Sequence, residues 1–420
     1  MKTAIVLGGT VPHIDLVCQL KKRGYKTILV DYTKSPPAKE YADEHIREST
    51  LDRDIILKIA KDYNADLVIS SSVDQANVVC CYVAEKLGLP HPYSYETALN
   101  VTDKVRMKSI MHEHGIETSK HISIQRFDEV RKASLRFPIM IKPADSNSAK
   151  GVKKAETMEK AEEAFNIAKE YSRNGMVIAE EFVEGVEISA YGYISNHTPI
   201  IIMIQERIST YDGDDKVLKC YASWAPARIS EKAREKAQDV LGQIAEVFGL
   251  DNTPLFFQGI VREDDISVIE FAPRTGGGIS TQTIKKAVGF DFISATIDSY
   301  FGVEPDFSSY HPMQKIFAVN QVYADSGEIA SITGYEKLKE SGLVDIISFY
   351  RRQHANTNAL TASSSRVFVM VVSGENQLEI KNKIQASFDQ IDIIDIEGKS
   401  IIRRDLSLNN IELNEMFERT

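Results

Sequence analysis

The sequence predicts an α/β protein that opens on a parallel sheet and continues into α+β units. Three observations carry this reading. Residues 1 to about 92 alternate apolar strand and helix three times. Residues 118 to 180 read as strand, polar loop, helix and strand. Two apolar runs, "LFFQGIVRE" and "DISVIEFAP", pair around a charged turn.

Each element has its own local reason. "TAIVLGG" is a continuous apolar run ending in glycine, as a buried parallel strand does. "HIDLVCQLKKRGY" has helical spacing and a glycine at its C-terminal end. "KTILVD" is the second strand and ends in Asp31. "RDIILKIAKDYN" reads as helix, "ADLVISS" as strand and "QANVVCCYVAEKLGL" as helix. This βαβαβα order implies a parallel sheet covered on both faces. Pro90 and Pro92 mark a boundary, and "SYETALNVTDKVRMKSIMHEHGI" beyond them is helical with Ser and Thr caps. "FPIMIKPA", "TMEKAEEAFNIAKEYS" and "GMVIAEEFV" form the small α+β unit. Several strands then surround the helix "EKAREKAQDVLGQIAEVFG". From 306 to 420 the strands "QKIFAVNQVYAD", "RVFVMVVSG" and "IDIIDIEG" mix with the amphipathic helix "NQLEIKNKIQASFDQ".

Composition narrows the function. The chain has 420 residues, 43% apolar and 26% charged, with net charge −10. That suits a globular protein and argues against a nucleic-acid surface. Cys18, Cys80, Cys81 and Cys220 show no paired metal spacing and fit a reducing cytoplasm. No run approaches the roughly 18 apolar residues of a membrane span. The start "MKTAIVLGGT" reads as a strand, not a signal peptide. We expect a cytoplasmic protein with small-molecule partners.

The chemistry-bearing candidates fall in order along the chain. "GGTVPH", Gly8 to His13, follows the first strand, and with Asp31 it could hold a dinucleotide. The full Gly-x-Gly-x-x-Gly is missing, so a tight strand-to-helix turn is the simpler reading. Lys142 ends an apolar strand and can aim its ammonium into a cleft; Lys104 lies in a helix before it. "DSNSAKGV", Asp145 to Val152, offers hydroxyls, backbone N–H groups and Lys150 to phosphate oxygens. "VIAEEFVEGVEIS" places Glu180, Glu181 and Glu187 around an extended segment suited to an adenine edge and a ribose. Gln258 and Glu270 stand on neighbouring apolar runs, where two oxygen donors suit Mg²⁺. "VIEFAPRTGGG" buries Glu270 in an apolar strand, which is costly unless it meets a cation, and follows it with Arg274 and three glycines.

Taken together, helix lysine, strand lysine, small-residue loop, "EEFVEGVE" and "Q…IEFAPR" resemble the ATP-grasp superfamily. The resemblance implies a Rossmann-like pre-ATP-grasp domain at 1-92, an ATP-grasp domain at 93-305 with a lid at about 118-180, and a C-terminal α+β domain at 306-420. It implies that Lys104, Lys142, Ser148, Lys150 and Gly151 hold ATP phosphates. Glu180, with Glu181, Phe182 and Val183, would hold adenine, and Glu187 the ribose. Gln258 and Glu270 would bind Mg²⁺, which Mn²⁺ can replace. Arg274, with Gly276, Gly277 and Gly278, would meet the substrate carboxylate. Lys142, Lys150 and Arg274 would stabilise phosphoryl transfer.

The expected activity is an ATP-dependent ligase joining a carboxylate to an amine through an acyl phosphate. A homodimer is left open. The usual Asn two residues beyond the metal-binding Glu is here Ala272, which favours the alternative of an ATP-binding accessory protein without turnover. A nicotinamide-dependent oxidoreductase built on the N-terminal sheet leaves the later motifs unexplained.

Overall fold

The structure is a computed structural model that describes residues 1–146, 150–212, 217–358 and 362–410. Strands β1 (Lys2–Leu7), β2 (Tyr25–Val30), β3 (Glu44–Ile46) and β4 (Leu67–Ile69) form a parallel sheet in the order β3-β2-β1-β4. Alternate residues feed its two faces. Ala4, Val6 and Leu29 pack on one side with Leu16 and Leu20 of helix α1 (Val11–Lys22). Ile5, Leu7, Ile28 and Val30 pack on the other, against helices α2 (Arg53–Asp62) and α3 (Asp74–Leu87).

The loop after β1 is a packed turn. Asp31 accepts the Gly9 N–H at 2.8 Å and the Thr33 N–H at 2.8 Å, so its carboxylate is consumed within the turn. A β-carbon on Gly9 would lie 2.5 Å from Pro36. The simpler reading of "GGTVPH" therefore matches the geometry.

The helical stretch after Pro92 is two helices, α4 (Tyr95–Asn100) and α5 (Lys104–Glu113). Asp103 causes the break: its side chain accepts the N–H groups of Val105 and Arg106 and starts a new helix. Lys104 thereby becomes the first residue of α5. Next come β5 (His121–Ile124), α6 (Asp128–Lys132), β6 (Ile139–Pro143), β7 (Lys153–Ala155), α7 (Met158–Tyr171) and β8 (Val177–Glu181). The four strands form an antiparallel sheet in the order β5-β8-β6-β7. Ala161, Ala164, Phe165 and Ala168 of α7 cover it.

The largest sheet has eight antiparallel strands. The first five are β9 (Val186–Ser195), β10 (Thr198–Asp212), β11 (Val217–Ala225), β12 (Thr253–Arg262) and β13 (Asp265–Ala272). Helix α8 (Glu231–Phe248) covers one face of β9, β10, β12 and β13. Helices α9 (Ser280–Val288) and α10 (Phe292–Tyr300) follow, and Ile293 and Ile297 of α10 reach back to the first sheet. The chain then adds β14 (Ile316–Tyr323), β15 (Gly327–Thr333), β16 (Ile346–Phe349), β17 (Asn356–Thr357), β18 (Arg366–Gly374) and β19 (Asp392–Asp395). The order of the large sheet is β13-β12-β9-β10-β11-β14-β18-β16, so it runs without a break past residue 306. A small sheet, β17-β15-β19, and the helix Gln377–Gln390 complete the C-terminal part.

The odd pattern of "VIEFAPR" has a backbone cause. In the β12–β13 hairpin Gln258 faces Glu270, but Gly259 faces Val268. Ile269 is the extra residue of a β-bulge. Under strict alternation Ile266, Val268 and Glu270 would share the core face. The bulge instead sends Val268 and Phe271 into the core under α8 and turns Glu270 to the opposite face, into the cleft.

Candidate active site

A cavity of about 860 Å³ lies between the four-stranded sheet and the large sheet. Of the residues singled out from sequence, Lys104, Lys142, Lys150, Glu180, Glu181, Phe182, Val183, Glu187, Gln258, Glu270, Arg274, Gly277 and Gly278 all line it. Gly151 and Gly276 are not among the lining residues. Gly151 has φ +70°, and a β-carbon there would sit 3.0 Å from Tyr171 and 3.1 Å from Pro143. A β-carbon on Gly276 would sit 2.4 Å from the Tyr191 ring and 2.5 Å from Ser280 Oγ, so close packing alone requires that glycine. Ser148 lies outside the described residues.

Five charges define one end of the cleft. Lys142 on β6 donates to Glu180 Oε1 on β8 at 2.5 Å. The other oxygen, Oε2, lies 3.0 Å from Lys108 Nζ and accepts the Ser119 hydroxyl at 2.9 Å. Lys108 is only 1% exposed and also donates to Thr118 Oγ1 at 2.8 Å. Burial opposes charge on Glu180, but the two lysines outweigh it and hold the carboxyl well below its usual range. Burial brings Lys142 down to about 8, against the pull of Glu180 and with help from Lys108 and Lys104.

Glu270 meets Lys104: Nζ donates to Oε2 at 2.7 Å, and also to the Ser146 carbonyl at 3.3 Å. Lys104 holds the Glu270 carboxyl down at about 2, against burial. Gln258 satisfies both neighbours when its amide nitrogen donates to Glu270 Oε1 (3.2 Å) and its oxygen accepts from Arg207 Nη1 (3.1 Å). Arg207 in turn donates through Nε to Glu187 Oε1 at 2.6 Å. A continuous polar line thus runs Glu187–Arg207–Gln258–Glu270–Lys104.

Several sequence assignments meet other partners here. The Glu180 carboxylate faces lysines, and the Glu181 N–H is donated to the Lys120 carbonyl at 2.9 Å. Glu187 is paired with Arg207. Arg274 is held by Asp74, the first residue of α3, with Nε–Oδ1 at 2.5 Å and Nη2–Oδ2 at 2.9 Å. That bidentate pair fastens the N-terminal sheet to the glycine loop. Lys108, Arg207 and Asp74 are site residues that sequence reasoning missed.

The donor set fits a divalent cation only in part. Among the described residues no three of His, Cys, Asp and Glu cluster to hold a metal. Glu270 is one ionised carboxylate and Ala272 adds no ligand, so phosphate oxygens would have to complete a shell. That is the donor pattern for an ion that arrives with a nucleotide.

A deep cleft between two antiparallel sheets, lined by buried lysines and an ionised carboxylate, is a site for a polyphosphate and its counterion. Residues 135–283 match the family model described as ATP-grasp domain. The formate-dependent phosphoribosylglycinamide formyltransferase of Methanocaldococcus jannaschii is 26% identical over 281 residues, 64% of this chain and 69% of that protein. Among solved structures, the fold is similar to phosphoribosylglycinamide synthetase from Anaerococcus prevotii, with TM-score 0.74 and 20% identity over 94% of this chain and 99% of that one. It is also similar to L-amino acid ligase from Bacillus licheniformis, with TM-score 0.77 and 18% identity over 94% and 99%.

Proposed function

We propose that the chain is an ATP-dependent ligase that activates a small carboxylate as an acyl phosphate and joins it to an amine, releasing ADP and phosphate. The observation that carries this is the cluster of Lys104, Lys108 and Lys142 on only two carboxylates, Glu180 and Glu270. The excess positive charge faces the cavity, where phosphate oxygens would neutralise it. In this reading Lys142, Lys104 and Lys150 hold the phosphates, and Glu181 to Val183 border the base. Glu270, with Gln258, is the protein's side of the Mg²⁺ site. When bound, Mg²⁺ withdraws charge from the phosphates; the protein's own part is to hold Glu270 ionised and keep the lysines aimed inward.

The relatives support ATP and Mg²⁺ as cofactors, since similar folds were solved with ADP and with MgADP. The same reading divides the chain at about 92 and 305, with a lid over 118-180. It places the protein in the cytoplasm, with small-molecule carboxylate and amine substrates and a homodimer as its assembly. No helix among the described residues is long and apolar enough to cross a membrane.

A second reading, ATP binding without ligase turnover, is favoured by Ala272 alone. Phosphate release separates the two. With ATP and Mg²⁺, release should appear only when a suitable carboxylate and amine are both present. Tight ATP binding with no release across a broad carboxylate and amine panel would remove the ligase reading.

A further inference from the structure

Four arginines line the cleft: Arg207, Arg228, Arg274 and Arg366. Three are matched to carboxylates, Arg207 to Glu187, Arg228 to Glu206 and Arg274 to Asp74. Arg366, the first residue of β18, has no carboxylate partner among the described residues. Its Nε is buried without a hydrogen bond. Its guanidinium lies 5.3 Å from the Tyr350 ring centre and 5.9 Å from that of Tyr323. The Tyr323 side chain also takes a hydrogen bond from the guanidinium, but the aromatic faces use no N–H group and leave Nε without an acceptor.

Three further polar atoms that line the cavity are buried and unpartnered: Tyr350 Oη, Ser280 Oγ and Gln321 Oε1. Such groups are normally satisfied, so their presence in the cavity that also holds the carboxylate-free Arg366, with Tyr350 beside it, points to a missing ligand. The backbone is shaped toward the same place. In the β14–β18 ladder Val322 faces Phe368 but Tyr323 faces Arg366, so Val367 is the extra residue of a bulge. Its carbonyl accepts both the Tyr350 and the Arg351 N–H at 2.9 Å. Val367 and Phe368 both enter the core, and Arg366 is turned to the cleft face. Gly278, at φ +65°, closes the rim: a β-carbon there would stand 3.2 Å from Tyr350 Oη.

We propose that this end of the cleft binds the amine substrate as an α-amino acid, its carboxylate on Arg366 and Tyr350 and its amino group toward Gln321. The assignment rests on the ligase reading above and names the substrate class it leaves open. One unmatched guanidinium with hydroxyl donors suits a monoanionic carboxylate; a phosphate dianion would call for a second unpaired cation. An acceptor oxygen, Gln321 Oε1, suits an N–H donor beside that carboxylate. Arg366 is six strands from Glu270 in the sheet order, so the carboxylate it holds is not the one activated beside the metal.

The test is calorimetric titration of the full chain, loaded with MgADP, with the L-amino acids and their α-amides. At least one amino acid should bind wild type, and its amide should bind roughly 30-fold more weakly or not at all. Arg366→Gln should lose the preference for the acid over the amide while keeping wild-type MgADP affinity. Tyr350→Phe, which removes a single hydroxyl and is a safer fold, should weaken the amino acid roughly tenfold. Equal binding of acid and amide, or Arg366→Gln and Tyr350→Phe proteins that bind amino acids as wild type does, would overturn the subsite. Binding of inorganic phosphate or a sugar phosphate, with no amino acid bound, would also overturn it. Failure of MgADP itself to bind would instead remove the ligase reading on which the subsite rests.

Discussion

Lys108→Met removes a charge that looks superficial in sequence and is central in the structure. The substitution keeps the length and apolar stem of the side chain, so little cavity forms. What changes is the Glu180 carboxylate, which loses Lys108 at 3.0 Å and keeps Lys142 at 2.5 Å and Ser119 at 2.9 Å. Breaking a buried ion pair and stranding its charge costs about 3–5 kcal/mol. Here Glu180 stays paired with Lys142, while the Thr118 hydroxyl loses an acceptor role, so we expect about 2–3 kcal/mol. The second consequence is on the ligand. Three lysines on two carboxylates give this cluster one net positive charge; after the substitution the cluster is neutral and only Lys150 adds to it. Urea unfolding should show the stability loss, and ATP titration a clear drop in affinity. A double-mutant cycle with Glu180→Gln isolates the coupling of Lys108 to Glu180; because the second change also takes the carboxylate from Lys142, the double variant should be no more stable than Lys108→Met alone. A single variant within about 0.5 kcal/mol of wild type, with unchanged ATP affinity, would refute this account of the charge cluster.

Three other outcomes follow from the same geometry. In the free protein Lys142 gives up its proton near pH 8, and an arriving polyphosphate restores it. ATP affinity should therefore fall as pH rises above 8, with proton uptake on binding at pH 9. Calorimetry in buffers of different ionisation enthalpy reads this directly, and zero uptake would exclude it. Gly276→Ala forces a methyl onto Tyr191 and Ser280 and should cost about 1–3 kcal/mol in urea unfolding; an unchanged midpoint would show that the glycine loop yields. Deleting Ile269 leaves Gln258 opposite Glu270 and Gly259 opposite Val268 in regular alternation, so Glu270 should still face the cleft and Mg²⁺-dependent nucleotide binding should persist; a folded variant that no longer binds MgATP would show that the bulge does more than set the parity of the strand.

What could be read from sequence follows from cost. A lysine or glutamate inside an apolar strand is expensive enough to need a reason, so Lys142, Glu180 and Glu270 stand out. Their partners do not. Lys108 lies in the polar-looking "KVRMKSIMHE", and its one signal is its place four residues after Lys104, on the same helix face. Arg207 carries a clearer signal that went unread: Gln205, Arg207 and Ser209 alternate along β10 and all line the cleft. Asp74 and Arg274 are 200 residues apart, and no local pattern joins them. The parallel sheet and its helices were legible because apolar runs and glycine stops are local. The continuity of the large sheet past residue 306 was not, since it depends on β11 pairing with β14 across the sequence between them.

The two bulges explain why the site resists pattern reading. A strand that alternates faithfully puts every second residue on the core face, and one charge in that series is an error to be avoided. One extra residue changes the parity. At Ile269 it lets Val268 and Phe271 both enter the core while Glu270 turns out; at Val367 it lets Val367 and Phe368 enter while Arg366 turns out. In each case a charged side chain beside core residues is delivered to the cleft without weakening the apolar face. The same parity shift stands on the edge strand β13 and, six strands away, on β18, next to the other edge of the large sheet. The metal and phosphate chemistry proposed for Glu270 and the carboxylate recognition proposed for Arg366 therefore rest on one backbone device used twice, and the strand positions that look wrong in sequence are the ones that face the substrates.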